Sequence, residues 1–208
     1  MAIAKTKRRT KGKREAKINW GGAAAANSGA INFVLGVLTL AVLAAGAAYW
    51  WMGRATEGDF MTLAAQGQAA LARVESFPND GRSHLSPGES HSYGTSTPTS
   101  GAHDPSPTAP GVYDTPQPPT KLVHALEHGL IVLYYDKPRP DVMARLRDWA
   151  GLYSGKWDGI VVTPLSGLGE TVIATAWRKK LNLAPFDAAA AAAFIDAYRG
   201  RGPENPVR

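Results

Sequence analysis

The sequence predicts an α+β protein in which one N-terminal transmembrane helix precedes a compact exported domain. Three observations predict this class: an uncharged apolar run near the N-terminus, a Pro/Gly-rich middle region, and a C-terminal region where strand-like and helix-like patterns alternate. The predicted segments are a basic cytoplasmic tail at 1–30, the transmembrane helix at 31–52, a juxtamembrane helix or stalk at 53–77, a histidine-containing Pro/Gly-rich loop at 78–120 and the α+β core at 121–208.

The transmembrane helix is predicted from residues 31–52, which carry no charged side chain. A helix of that length covers about 33 Å, close to the hydrocarbon thickness of a bilayer. Aromatic residues at 49–51 close the run, as expected at a membrane interface. A cleaved secretory signal is the alternative, because residues 45–47 form an A-x-A pattern. The apolar run is longer than a usual signal core, which favours an uncleaved anchor.

Positive charge is concentrated before the apolar run. The formal net charge is +6, yet the residues after position 20 include 15 basic and 16 acidic side chains and are about neutral. Nucleic-acid binding by the body is therefore disfavoured, since phosphate contacts need a basic surface. The positive-inside rule places the tail in a bacterial cytoplasm and exports the domain to the periplasm or cell exterior. The basic residues of the tail are Lys5, Lys7, Arg8, Arg9, Lys11, Lys13, Arg14 and Lys17.

The chain contains no cysteine. This excludes dithiol exchange, thiolate copper sites, c-type haem attachment and cysteine-ligated iron–sulfur clusters. A metal bound here would have to use histidine, carboxylate, methionine or backbone oxygen ligands.

Two segments lead from the membrane to the core. Residues 59–75 carry apolar side chains at helical spacing, and Asp59 is the predicted N-cap of this juxtamembrane helix. The helix either continues the membrane helix as a stalk or packs on the domain. The segment 78–120 contains nine of the 15 prolines together with many serines and threonines. Such composition is typical of a flexible linker, but the histidines within it indicate a functional loop that metal ligation could hold in place.

The core is predicted to have the element order β-α-β-β-α. This order is weakly thioredoxin-like, although a chain without cysteine could not act as a dithiol enzyme. Asp187 is the predicted N-cap of the last, alanine-rich helix, and Gly200 its terminator. The predicted elements are a strand at 130–135, a helix at 141–153, strands at 159–164 and 171–177, and the last helix from 188.

All five histidines lie between His84 and His128. His124 and His128 are four apart and point the same way on either a helix or a strand, so both can approach one metal ion. His84 and His103 from the loop would complete the ligand set, with the fifth histidine, His91, in reserve. Imidazoles without thiolate suit copper or zinc. Glu127 would be a direct ligand or the acceptor that orients an imidazole.

Two other interpretations of this pattern remain open. The His–Glu cluster can be a hydrogen-bonded part of the scaffold without a metal. The spacing His124-x-x-Glu127-His128 also matches inverted zinc peptidases, in which the glutamate activates a zinc-bound water. That motif belongs well inside a helix, whereas Gly129 and a strand-like run follow it here. No other catalytic constellation stands out, so a non-enzymatic role is favoured.

An ordered series of motifs between residues 84 and 204 resembles the uncharacterised bacterial family catalogued as domain of unknown function 3105. The resemblance implies a single-pass membrane protein with an exported domain, and it supplies no activity. Its pattern covers His84, His103, His124, Glu127 and His128, and disfavours a disordered linker at 84–120. One departure is Ala102 before His103, where proline is expected. The matching motifs are His84, Pro98-Thr99-Ser100-Gly101-Ala102-His103, Gly111-Val112-Tyr113, Leu122-Val123-His124-Ala125-Leu126-Glu127-His128-Gly129, Ala176-Trp177 and Tyr198-Arg199-Gly200-Arg201-Gly202-Pro203-Glu204.

Three functional hypotheses follow from the sequence. The first is a membrane-anchored exported domain that binds or delivers copper or zinc through His84, His103, His124 and His128. Glu127 would be a further ligand or would orient one of the imidazoles. The second is a non-catalytic accessory subunit of a membrane complex, whose helix docks through a small-residue face. The third is a zinc hydrolase. The expected partners are the lipid bilayer and a membrane protein complex. The small residues of the helix face are Gly36, Ala44, Ala47 and Ala48.

Overall fold

The computed structural model of the chain describes residues 21–208, with side chains described for 29–48 and 56–208. Most of the predicted basic tail (1–20) and the aromatic side chains at 49–51 lie outside the described residues. Contacts divide the chain into two units, Met1–Tyr49 and Trp50–Arg208, and the second contains the sheet and all the histidines.

The first helix, α1, spans Gly21–Gln66. Its segment Gly29–Ala48 has a mean hydropathy of 2.2 and exposed side chains throughout. The segment is long and apolar enough to cross a bilayer. An N-terminal apolar helix at the predicted position is thus confirmed, whereas the membrane, the orientation and the export of the domain stay predictions.

No separate juxtamembrane helix starts at Asp59, so this capping prediction is wrong. α1 passes through the position without a break, and the Asp59 carboxylate instead accepts a hydrogen bond from Arg145 at 3.1 Å. A residue inside a helix has its amide bonded within the helix and leaves no terminal N–H groups to cap. α1 ends at Gln66, and a 3₁₀ helix follows at Gln68–Arg73.

The last turns of α1 belong to the core of the second unit. Phe60 is fully buried, and its ring makes edge contacts with Trp149 and Tyr153 at centroid distances of 5.6 and 5.0 Å. Burial of a side chain of this size stabilises the fold by about 1.5–3 kcal/mol. Gly67 permits close approach of the chain to the last helix, because a Cβ there would overlap the Ala189 carbonyl.

The second unit contains a mixed six-stranded sheet and three further helices. The strands are β1 (Glu75–Ser76), β2 (Gly111–Val112), β3 (Ile131–Tyr135), β4 (Ile160–Pro164), β5 (Val172–Ala176) and β6 (Lys179–Leu183). The helices are α2 (Pro119–His128), α3 (Pro140–Leu152) and α4 (Ala188–Tyr198). The strand order is β1-β6-β5-β3-β4-β2. The strands β3, β4 and β2 are parallel, β5 pairs antiparallel with β3 and β6, and β1 pairs antiparallel with β6.

Each face of the sheet has its own apolar core, because successive strand side chains point to opposite faces. In β3, Ile131 and Leu133 pack with α3, α4 and the end of α1, whereas Val132 and Tyr134 pack with α2. The helix α2 therefore lies on the sheet face opposite α3 and α4, and it carries His124 and His128.

The predicted mixture of helices and strands is confirmed, but the structure contains elements that the predicted β-α-β-β-α order did not include. β3, α3, β4, β5 and α4 appear at the predicted positions. Asp187 caps α4 by accepting hydrogen bonds from the amides of Ala189 and Ala190, and Gly200 has a φ of 73° after the helix. The prediction missed α2, the short β1 and β2, and β6, which follows β5 through a two-residue turn. The resulting sheet order does not establish a thioredoxin-like topology.

Candidate metal centre

The first two histidines of the cluster are brought together by the loop at 78–120. His84 and His103 form a parallel bridge in which the Leu85 amide donates to the His103 carbonyl at 2.8 Å. The His103 amide donates in turn to the Ser83 carbonyl at 3.0 Å. The two imidazole rings lie 5.1 Å apart by centroid. Backbone pairing across the loop therefore positions these side chains.

Side chains within the loop hold this arrangement. Ser100 Oγ accepts a hydrogen bond from the Asp80 amide at 3.1 Å and donates to the Pro78 carbonyl at 3.3 Å. The Tyr93 hydroxyl donates to the Ala102 carbonyl at 2.6 Å. Burial raises the pKa of Tyr93 to about 12, so the hydroxyl stays a donor at physiological pH.

The helix α2 supplies the other histidines from one face. His124 and His128 are one turn apart, and their ring centroids are 4.6 Å from each other. Leu122 and Leu126 on the same helix pack into the core with the sheet. The helix ends at Gly129 in the left-handed conformation, with a φ of 101°. The motif His124-x-x-Glu127-His128 therefore lies at the C-terminal end of α2, whereas an inverted zinc peptidase has it well inside a helix.

Four of the predicted ligands converge in what we call the inner set: His84, His103, His124 and Glu127. Each offers one ligand atom, and these atoms all lie within 4.8 Å of one another. His84 is exposed, and the other three are buried. The His84–His124 and His103–His124 ring centroids are 5.0 and 4.9 Å apart. These buried groups could hold a metal ion.

Backbone carbonyls orient two of the imidazoles. His103 Nδ1 lies 2.8 Å from the Gly101 carbonyl oxygen, and His124 Nδ1 lies 2.7 Å from that of Asp104. A carbonyl can only accept a hydrogen bond, so both Nδ1 atoms carry the proton and, in the neutral ring, Nε2 carries the lone pair. Gly101 has a φ of 122°, which side-chain-bearing residues rarely adopt.

The buried Nε2 of His103 faces a carboxylate. It lies 3.0 Å from Glu127 Oε2, yet it makes no hydrogen bond of acceptable geometry. The second carboxylate oxygen, Oε1, is 3.9 Å from Nε of the exposed Arg82. In the neutral imidazole, the lone pair of Nε2 and the carboxylate oxygen are both acceptors, and they need a proton or a cation between them.

A second group, which we call the outer set, comprises His124, His128 and Glu204. Glu204 Oε2 is 2.9 Å from His128 Nε2 and 3.8 Å from His124 Nε2. The C-terminal segment that carries Glu204 is bound to the end of α2. The Gly200 amide donates to the Gly129 carbonyl at 2.8 Å, and the Glu204 amide donates to the Glu127 carbonyl at 3.3 Å.

An aromatic ring and burial shape the outer set. The Trp157 ring packs on His128, with centroids 4.1 Å apart. Burial lowers the pKa of His124 and of His128 below the ordinary value of 6.5, and the nearby Glu204 carboxylate opposes this shift in both. Both imidazoles are therefore neutral at physiological pH, the form in which they bind metals.

Acidification is expected to destabilise the metal-free protein. The unfolded chain keeps ordinary histidine pKa values, so it binds more protons than the native state once the pH falls below about 6.5. The free energy of unfolding should thus be highest above this pH and fall toward the lowered native pKa values. Thermal unfolding of EDTA-treated full-length protein at about pH 7.5 and about pH 5.5 measures the difference.

The matched variants for this experiment are His124→Gln, which cannot take up a proton, and His91→Ala. His124→Gln should reduce the change in midpoint between the two pH values, and His91→Ala should leave it unchanged. If the thermal unfolding midpoint of the metal-free wild type is the same at both pH values, protonation of His124 and His128 does not destabilise the fold.

The structure separates the sequence-predicted residues into three places. His84, His103, His124 and Glu127 meet in the inner set, and His128 lies beside them in the outer set. His91 packs on Tyr93 with centroids 4.7 Å apart and belongs to neither set. Sequence reasoning did not assign a role to Glu204, although this residue ends the C-terminal motif of the family resemblance.

The described residues thus include a helix long and apolar enough to cross a bilayer and an α+β unit whose buried histidine and glutamate groups could hold a metal ion. The chain belongs to the family described as "Protein of unknown function (DUF3105)", whose sequence model matches residues 84–208. The matched part includes every member of the inner and outer sets. No curated protein and no solved structure matches the chain.

Proposed function

We propose that this protein is anchored by a single membrane helix and that its exported domain binds a copper or zinc ion, for storage or delivery and not for turnover. The observation that carries this proposal is the inner set. Three imidazoles and one carboxylate converge there, and two of the imidazoles are oriented through Nδ1 by backbone carbonyls. Imidazoles that bind metals are usually oriented in this way.

The contact between His103 and Glu127 favours a metal over a purely structural network. Without a metal, these two acceptors need a proton between them, and Nε2 makes no hydrogen bond of acceptable geometry to the carboxylate. A divalent cation satisfies both acceptors at once.

The donor set restricts the metal. Nitrogen and carboxylate ligands without thiolate suit Cu(II) and Zn(II). At metal–ligand distances of about 2.1 Å, tetrahedral ligands lie about 3.4 Å from each other. The inner set, whose ligand atoms lie within 4.8 Å, would have to contract around the ion. Because His103 Nδ1 donates to the Gly101 carbonyl, the free Nε2 is the atom that can bind the ion, and Glu127 beside it would be the fourth ligand.

The hydrolase alternative has less support. An inverted zinc peptidase would bind its metal through His124 and His128 and would use Glu127 as the base. The Glu127 carboxylate instead faces His103 and Arg82, and the carboxylate close to His124 and His128 is that of Glu204. The geometry therefore favours Glu127 as part of the metal-binding group.

A second proposal is that the protein is an accessory subunit of a membrane complex. It is supported by the exposed apolar segment Gly29–Ala48 of α1. A Cβ added at Gly36 would meet no heavy atom within 4 Å, and Ala44 is exposed, so other apolar helices could approach closely here. This proposal is compatible with the first, because an accessory subunit can carry a metal.

A thioredoxin-like arrangement is proposed for β3 to α4 only. Its support is the parallel pair β3 and β4, which α3 connects, followed by the antiparallel β5 and β6. No redox function is attached to it, because the chain has no cysteine.

Elemental analysis of the full-length protein, purified in detergent without an affinity His-tag, tests the proposed metal. We expect about one equivalent of copper or zinc in the wild type and in the His91→Ala control, and a large loss in His124→Ala/His128→Ala, in which neither set is complete. Wild-type protein without metal, whose melting temperature no added copper or zinc raises, would contradict metal binding. A stoichiometric membrane protein copurifying with that metal-free chain would support the accessory-subunit proposal.

A further inference from the structure

His124 belongs to both sets, and this sharing has a chemical consequence. Its Nδ1 donates to the Asp104 carbonyl at 2.7 Å, so only the Nε2 lone pair is available to a metal. This Nε2 faces Glu204 at 3.8 Å, and by elimination it is also the atom that His124 can offer to the inner set. One lone pair coordinates one metal ion, so the two complete sets cannot be occupied together.

The two sets differ in the number of ligands. The inner set offers four protein ligands, which is typical of closed sites that hold a metal. The outer set offers two imidazoles and one carboxylate, a composition that leaves a coordination position open to an incoming ligand. An open position allows a donor or acceptor molecule to bind the ion before the protein ligands release it.

The two carboxylates also differ in access. The Glu127 side chain is 6% exposed, whereas the Glu204 side chain is 42% exposed. Glu204 is on a C-terminal segment that crosses the end of α2, so it reaches both solvent and His128. In the outer set the carboxylate is thus the exposed ligand, whereas in the inner set the exposed ligand is the imidazole of His84.

We propose that the outer set is a loading and release site, and that a single metal ion passes between it and the inner set while His124 stays bound. The ion would exchange His84, His103 and Glu127 for His128 and Glu204 by stepwise ligand substitution. Each set includes one carboxylate, and an imidazole has to be neutral to coordinate the ion, so the ligands around a bound ion would carry the same total charge in both sets. This inference rests on the proposed metal-binding function and gives it a route for delivery.

The transfer of metal to a chromophoric chelator tests the route. Full-length protein in detergent is loaded with one equivalent of Zn(II), or of Cu(II) if elemental analysis finds copper, and the rate of release is measured. Glu204→Gln and His128→Ala should each slow release severalfold or more, because the ion would then have to leave directly from the four-ligand inner set. His103→Ala should speed release, because its ion remains in the outer set.

Glu170→Gln is the matched carboxylate control. Glu170 is exposed and follows Gly169, whose carbonyl accepts from the Lys137 amide beyond the C-terminal end of β3. The helix α2, which carries His124 and His128, instead leads into the N-terminal end of β3. The release rate of Glu170→Gln should equal that of the wild type. If Glu204→Gln and His128→Ala both release metal at the wild-type rate, the proposed route is wrong, although metal binding itself would still stand. Two tightly bound equivalents would also overturn the route, and no bound metal at all would refute the proposed function itself.

Discussion

Replacing His124 with alanine is expected to abolish tight metal binding, a larger loss than either His84→Ala or His128→Ala causes. His124 is the common member of both sets, so neither set is complete without it. Each of the other two substitutions leaves one complete set. Removing even a group that only orients a ligand costs about 10- to 100-fold in metal affinity, so losing the shared ligand should cost more than about 100-fold. Competition with a chelator of known affinity measures the difference.

Thermal unfolding provides an independent measure of the same loss. Metal at about 100 times its Kd should stabilise the wild type by about 2.7 kcal/mol, which raises the melting temperature by about 5–10 °C for a chain of this size. His91→Ala should show the same increase, since His91 packs on Tyr93 outside both sets. His124→Ala should show none. The increase is read relative to each metal-free variant, so a change in intrinsic stability does not obscure it. Wild-type affinity in His124→Ala would contradict the shared-ligand geometry.

The parts of the fold that sequence patterns predicted are those with a clear apolar period. β3 is a continuous apolar run, β4 begins with three apolar β-branched residues, and α4 has a side-chain cap at Asp187 that the structure confirms. β6 was missed because its pattern is weak. Only Leu181 and Leu183 of this strand are buried, and lysine and asparagine occupy the other positions. Its conformation depends on pairing with β5, which local periodicity does not reveal.

The helix α2 was ambiguous for a different reason. A spacing of four places His124 and His128 on one face in either a helix or a strand, so the pattern could not distinguish them. The prolines before the segment gave a helix-start signal, since Pro119 occupies the first helical position. Packing of Leu122 and Leu126 on the sheet then stabilises the helix.

Residue types and their clustering along the chain predicted most of the candidate ligands but not how they are grouped in space. The clustering of histidines along the chain indicated His84, His103, His124 and His128, and four of the five predicted ligands meet in the inner set. The division into two sets was not predictable, because it depends on Glu204. This residue reaches α2 only through the crossing of a C-terminal segment that contains no apolar pattern.

That crossing depends on Gly202, and replacing Gly202 with alanine is expected to detach the segment. An added Cβ would overlap the Glu127 carbonyl oxygen and the Gly129 amide nitrogen, both backbone atoms that cannot rotate away. The segment would have to move, and overpacking of this kind costs about 1–3 kcal/mol. The hydrogen bond from the Glu204 amide to Glu127 would be lost with it. Thermal unfolding of the metal-free variant measures the destabilisation.

The same displacement should alter metal transfer in a defined way. Glu204 would leave His128, so Gly202→Ala should reproduce the slow release expected of Glu204→Gln although it removes no ligand side chain. Gly151→Ala is the matched control, because a Cβ at Gly151 meets nothing within 4 Å and the residue lies in α3. That control should retain wild-type stability, or gain up to about 1 kcal/mol from helix propensity, and should release metal at the wild-type rate. If Gly202→Ala melts like the wild type and releases metal equally fast, the close contact between the C-terminal segment and α2 does not position Glu204.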